Sequence, residues 1–269
     1  MTHRRLDLDD GDLAVLADAL AVTPDALRAD VEHRPRHLDE VLAAPEVTTA
    51  LLDGDIDPLR ITPRLLFAVL VHRSADELAE TEWVADWVGP GSRLPVFDVE
   101  PLVEFADAPA RLRFVATLLV DFTVPRPGPV GTDRLGLDEL VDWLDAVEPD
   151  ARIALLRQLG DIALFQAGVF PDSTGATLLT TAQAERFGRS LDLTDDELEH
   201  LVDPASPTAG IDAMEMLSAS WYQAAAEASP DTPVLVRDVA HRIRAARRFL
   251  NYVADRYLHP GTGSMALGT

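Results

Sequence analysis

Glu197-Leu198-Glu199-His200 sets a carboxylate and an imidazole three residues apart, the spacing by which one helix supplies ligands to a di-iron carboxylate centre. Such a centre needs the motif twice, with a further glutamate from each of two other helices. The nearest second copy, Asp238-Val239-Ala240-His241, carries the shorter aspartate. Thr194, three residues ahead of Glu197, also makes Glu197 the third residue of a capping box, a role that needs no metal. Capping accounts for these residues, and the expectation is no metal and no cofactor. Asp53-Gly54-Asp55-Ile56-Asp57 has the acid density of a calcium loop. In an EF-hand the glycine stands sixth and a glutamate twelfth. Here the glycine comes second and Arg64 stands twelfth, so the segment reads as a turn.

A second set of polar residues lies inside an apolar run. Ile153 to Phe170 reads IALLRQLGDIALFQAGVF, with Pro149 near its start and Pro171 just past its end. Prolines so placed bound a helix. Leu155, Leu156, Leu159, Ile162 and Phe170 form a broad apolar face, and Gly160, Ala163 and Ala167 form a strip where a second helix can approach closely. Arg157 and Asp161 share a narrow stripe at i,i+4. With His72, from the end of another helix, they are the candidate pocket for a small molecule. The plainer reading is a structural Arg157–Asp161 pair and a bonded Gln166, since buried polar groups must find partners.

Two further sets suit recognition better than catalysis. Asp76 to Val88 reads as a helix carrying Trp83 and Trp87 on one face, followed by Gly89-Pro90-Gly91 and Arg93 in an irregular loop with room for a short extended segment. Trp83, Trp87 and Arg93 are therefore candidate interaction residues, set against tryptophans that simply fill the core. Thr232-Pro233 opens a last helix through Leu258, with a seam of Val236, Val239, Ala240, Ile243, Ala246, Leu250, Val253 and Tyr257. Its other face carries Arg237, Arg242, Arg244, Arg247 and Arg248. Arg244, Arg247 and Arg248 are candidate contacts for an anion or acidic partner, against the plainer expectation that they pair with the chain's own carboxylates.

The elements that must position these residues read as helices. Asp12 to Ala21 has helical periodicity, Thr23-Pro24-Asp25 opens a helix towards Glu32, and Arg36–Ala44 and Glu46–Leu52 follow. Thr62-Pro63 caps Arg64–Arg73; Pro101–Asp107 and Pro109–Phe122 come after the tryptophan segment. The fold expected is all-α, a multi-helix bundle around one buried central helix, divisible into two helical subdomains. The boundaries are an N-terminal helical region over 1–124, a Pro/Gly-rich linker over 125–132, and a C-terminal bundle over 133–269. Leu137 to Val147 leads into the central helix.

Composition narrows the function. All 23 basic residues are arginine, against 46 acidic ones, mostly aspartate, for a net charge of -23. Lysine-free, Asp-rich usage fits a halophile, with GC-rich coding as the competing explanation. Such a field opposes nucleic acid and anionic membranes, so neither is an expected partner. Without cysteine there is no disulfide, thiolate nucleophile or thiolate metal ligand. No secretory leader is evident at the N-terminus and no apolar stretch is free enough of charge to span a membrane, so the expected location is the cytoplasm. Walker loops, dinucleotide glycine fingerprints, nucleophile elbows and His-Glu-x-x-His are all missing. The function expected is a non-catalytic interaction or scaffold protein, its partner another protein or a second copy of the chain. The alternative is a small-molecule-binding protein or enzyme with a polar inter-helix pocket near Asp161.

Three blocks carry a resemblance: Thr62–Leu70, Trp87–Asp98 and Leu159–Pro171. Together they resemble an uncharacterised prokaryotic, halophile-type family of helical proteins with no assigned activity. The resemblance implies no function; it ranks Trp87, Gly89, Arg93, Asp161 and Gly168 above their neighbours.

Overall fold

A computed structural model describes residues 8–34, 36–54, 56–89, 91–123, 141, 144, 147–175, 180–191, 194, 208–228 and 234–259. It is 77% helical, with 13 α-helices and a single two-stranded sheet among the described residues, an all-α fold. The 125–132 linker lies outside the described residues, as do most of the expected Leu137–Val147 helix and the Glu197–His200 motif. The chain forms two compact units that do not follow chain order: residues 2–82 with 106–124, and residues 83–105 with 125–269.

The first unit contains α1 (Asp10–Ala19), α2 (Pro24–His33), α3 (His37–Ala43), α4 (Pro45–Leu52), α5 (Pro63–Ala79) and α7 (Pro109–Thr123). Thr23 and Thr62 cap α2 and α5 by accepting from the Ala26 and Leu65 amides at 3.3 and 3.0 Å. At α1 a capping box forms between Asp9 and Asp12. Asp12 is buried, and its second oxygen accepts the Thr62 hydroxyl at 2.7 Å, tying the starts of α1 and α5 together. A polar atom can be buried there because every acceptor has a donor. The expected break after Arg73 does not occur: α5 runs on to Ala79 with Ser74 and Leu78 fully buried. No proline or glycine interrupts that stretch, and packing overrides the weak helix preference of Ser and Asp.

The second unit holds strands β1 (Val84–Gly89) and β2 (Ser92–Val96), α6 (Glu100–Ala106, whose last residue falls in the first unit), α8 (Pro149–Val169), α9 (Pro171–Gly175), α10 (Thr181–Leu191), α11 (Ala209–Ala228), α12 (Val234–His241), α13 (Ile243–Val253) and a π-turn over Ala254–Leu258. The long helix α8 packs against α11 and α13. Its small residues allow this: a Cβ on Gly160 would stand 2.6 Å from the Tyr222 ring, and one on Gly168 would stand 2.6 Å from Leu250. Leu155, Leu156, Leu159 and Ile162 are buried as their spacing predicts. Two expectations for α8 fail. Gln166 is exposed and needs no buried partner, and Phe170 ends the helix 44% exposed, its ring beside Phe165 and His259.

Trp83–Val88 is not helical. β1 and β2 form an antiparallel hairpin, pairing Val84 with Val96, Asp86 with Leu94, and Trp87 with Arg93. A spacing of four suits one face of a strand as well as of a helix, since four is a multiple of two and close to 3.6. Valine and tryptophan favour the strand, and Gly91 turns the chain at φ +66°. The expected last helix is likewise divided. At Arg242 the backbone leaves helical geometry (φ -116°, ψ 25°), separating α12 from α13.

Candidate functional site

Helix α13 is buried without a break from Ala246 to Asn251, so no side of it faces water over that span. Two of the six residues are arginines, and they pair with the chain's own carboxylates, the plainer of the two expectations for them, though buried and not on a surface face. A buried guanidinium requires paired charge and hydrogen-bond acceptors. Arg247 donates from Nε to Glu215 Oε1 at 2.7 Å, and from Nη1 to Asp86 Oδ1 at 2.8 Å and Asn251 Oδ1 at 2.7 Å. Arg248 Nε stands 2.9 Å from Asp86 Oδ2, and its Nη1 reaches the Asp98 carbonyl at 3.4 Å. Burial works against the charge on Arg247, yet Glu215 and Asp86 outweigh it and hold the guanidinium pKa above its ordinary value.

A second clamp has the signs exchanged. Arg93 of β2 donates from Nε to Asp255 Oδ2 at 3.0 Å and from Nη2 to Oδ1 at 3.3 Å. Asp255 lies in the π-turn that continues α13. Asp172 of α9 stands 3.5 Å from Arg93 Nη2 and accepts the Trp87 indole N–H at 2.8 Å and the Gly91 amide at 2.7 Å. Burial pushes the Asp172 carboxyl up, but the Gly91 amide, the indole and Arg93 prevail and hold it below the usual carboxylate range. Arg93 is raised: burial opposes its charge, and Asp255 and Asp172 overcome that. The Trp87 ring lies so close over Gly175 that a Cβ there would be 2.1 Å from it.

The contacts form one chain of partners: Glu215, Arg247, Asp86, Trp87, Asp172, Arg93, Asp255. Four of the six interaction candidates, Trp87, Arg93, Arg247 and Arg248, belong to this cluster. The other two stay at the surface: Trp83 is 36% exposed, and Arg244 is an exposed side chain 3.7 Å from Glu215 Oε2. Guanidiniums held more firmly charged and an aspartate held below the usual carboxylate range are poor proton-transfer groups near neutrality, and the cluster's contacts are those of a positioning network. What it positions is the hairpin, whose outward residues include Leu94 at 57% and Phe97 at 71% exposure.

The pocket candidates divide between the units. Asp161 of α8 accepts the hydroxyl of Tyr222 at 2.7 Å, and Ser218 of α11 donates to the Gly160 carbonyl at 2.9 Å. Burial, then the Asp161 charge, push the Tyr222 phenol well above its ordinary pKa, with the positive Arg157 opposing. Asp161 thus helps to dock α11 on α8. His72 lies in the other unit, buried, with Nδ1 2.8 Å from the Ala68 carbonyl and Nε2 3.2 Å from Asp39 Oδ1. Arg113 reaches the same Asp39 oxygen at 3.1 Å.

Asp86, Asp172, Glu215, Asn251 and Asp255 were not selected by sequence. Only Asn251 left a local signal, four residues after Arg247; the carboxylates are up to 162 residues from their arginines. Among the described residues no group of three or more His, Asp or Glu side chains is arranged to hold a metal ion, and no helix is long and apolar enough to cross a membrane. Comparison with family models, curated proteins and solved structures finds no match to this chain.

Proposed function

We propose that this chain is a non-catalytic interaction protein whose recognition element is the β1–β2 hairpin. One observation carries the reading: buried ion pairs fix the hairpin from both strands, while Leu94, Phe97 and the adjoining Trp83 stay open to solvent. Large apolar side chains held rigidly at a surface lose little conformational entropy on binding, the property that makes a good interface anchor. The acidic, lysine-free composition supports a high-salt setting, where screening relieves self-repulsion.

The test is recovery of stable complexes from native cells in high salt, repeated with Leu94→Ser/Phe97→Ser, followed by reconstitution from the purified components. The expectation is a stoichiometric complex with wild type that the double variant does not form, although its circular dichroism is unchanged. A complex indifferent to both substitutions, or a wild-type chain that runs as a lone monomer throughout, would overturn the reading.

A further inference from the structure

The open end of the hairpin joins apolar area to negative charge. Trp83 and Phe97 stand one residue outside the last ladder pair, Val84 with Val96, so both flank the same end. Asp98 and Glu100 follow directly, exposed, and no ion pair or side-chain hydrogen bond engages their carboxylates among the described residues. Three arginines of the clamp have been withdrawn from the surface. The side chains of Arg93, Arg247 and Arg248 are only 4, 5 and 9% exposed and are turned towards internal carboxylates. A binding segment therefore meets apolar anchors beside two carboxylates that no ion pair engages among the described residues, while Arg244, exposed beside the clamp, stands 3.7 Å from Glu215 Oε2.

We infer that the hairpin's partner is a basic, apolar-anchored polypeptide segment, with leucine-like or aromatic side chains flanked by Lys or Arg. The inference rests on the hairpin being the interaction surface and names the chemistry that would fit it. Apolar side chains would cover Phe97 and Trp83, which fall on one face of the ladder, and the flanking cations would meet Asp98 and Glu100, complementarity that mainly sets specificity and association rate. A second copy fits less well, because it brings a like charge of -23 against the same carboxylates.

The experiment titrates the full chain with three short synthetic peptides of equal length: Lys/Leu, Lys/Ser and Gln/Leu. Binding is read by calorimetry, and the contact region by hydrogen exchange, at salt concentrations of about 0.15 and 1 M, which bracket strong and weak screening. The Lys/Leu peptide is expected to bind saturably and to protect the hairpin. Trp83→Ser/Phe97→Ser should weaken it about tenfold or more, the loss usual for an interface anchor. Asp98→Asn/Glu100→Gln should weaken it several-fold at the lower salt and less at the higher. Lys/Ser should bind weakly and ignore the hairpin substitutions. Lys/Leu binding indifferent to the Trp83 and Phe97 changes, or no saturable Lys/Leu binding, overturns the inference. Equal, Phe97-dependent binding of Gln/Leu also overturns it, while leaving the hairpin as the interaction surface. A failed partner class is thereby distinguished from a failed site.

Discussion

Replacing Asp86 by asparagine tests the clamp at its centre. The carboxylate lies 2.8 Å from Arg247 Nη1 and 2.9 Å from Arg248 Nε, and it also accepts the Trp87 amide at 3.0 Å. With Asp86 in place, Arg247 and Arg248 face two carboxylates, Asp86 and Glu215, and the local charge is balanced. Asp86→Asn leaves the pair of arginines with Glu215 alone, a net +1 in a buried site. Arg248 suffers most, keeping only the Asp98 carbonyl at 3.4 Å. Removing one partner of a buried ion pair costs about 3–5 kcal/mol, because the other charge is left without compensation. Arg244→Ser, at a side chain 73% exposed, should change stability by less than about 0.5 kcal/mol. Adding Arg248→Met to Asp86→Asn restores the charge balance and should recover more than about 1 kcal/mol, a coupling within the range of neighbouring groups. Because the chain has two units, a single global transition is a poor readout. Native-state hydrogen exchange at β1, β2 and α13 across a urea series gives the local free energy. An Asp86→Asn variant whose hairpin protection stays within about 0.5 kcal/mol of wild type would refute the reasoning, as would a double variant no better than the single.

Four other outcomes follow from the same geometry. Gly175→Ala puts a methyl 2.1 Å from the Trp87 ring, which must move; a cost of about 1–3 kcal/mol is expected, with a changed near-ultraviolet dichroism, and an unaltered spectrum would contradict the packing. Asp39 is pushed up by burial but held below its usual value by His72 and Arg113. A depressed folded-state pKa gives stability that is present above the unfolded value near 3.9 and lost as pH falls through the folded value, so Asp39→Asn should flatten the acid limb of a urea-midpoint profile. Tyr222, raised well above its ordinary pKa, should stay protonated until the protein unfolds in alkali; of the three tyrosines, one should then ionise only with unfolding when followed by ultraviolet absorbance. Raising KCl from about 0.1 to about 2 M should stabilise a chain of charge -23 by screening its self-repulsion, whereas a flat response would remove the argument for a high-salt protein.

Local chemistry was the legible part of the sequence. Thr23-Pro24 and Thr62-Pro63 announced helix starts because a cap is decided within four residues, and the Gly160 strip announced a close helix contact. The tryptophans misled because a separation of four satisfies both helical and strand periods. The arginines of α13 looked like a surface because pattern marks charge as outward. Only tertiary structure brings Asp86 and Glu215 to Arg247, and no spacing in the chain records that meeting. Asp161 was seen as polar within an apolar run, but its partner Tyr222 lies 61 residues away on a helix whose facing residues read simply as core.

The distance along the chain between the hairpin and its clamp has a consequence during synthesis. Asp86 and Arg247 are 161 residues apart, and at about 5–20 residues per second a ribosome takes roughly 8–32 s to travel from one to the other. Over that interval the nascent hairpin has no counter-ion for Asp86, and for about the first half of it neither Asp172 nor Gly175 to meet Trp87. A two-stranded ribbon is scarcely stable alone, and its unpaired edges invite pairing with other chains. Charged residues flanking an apolar strand, as Asp98 and Glu100 flank this one, are of the kind that disfavours such pairing.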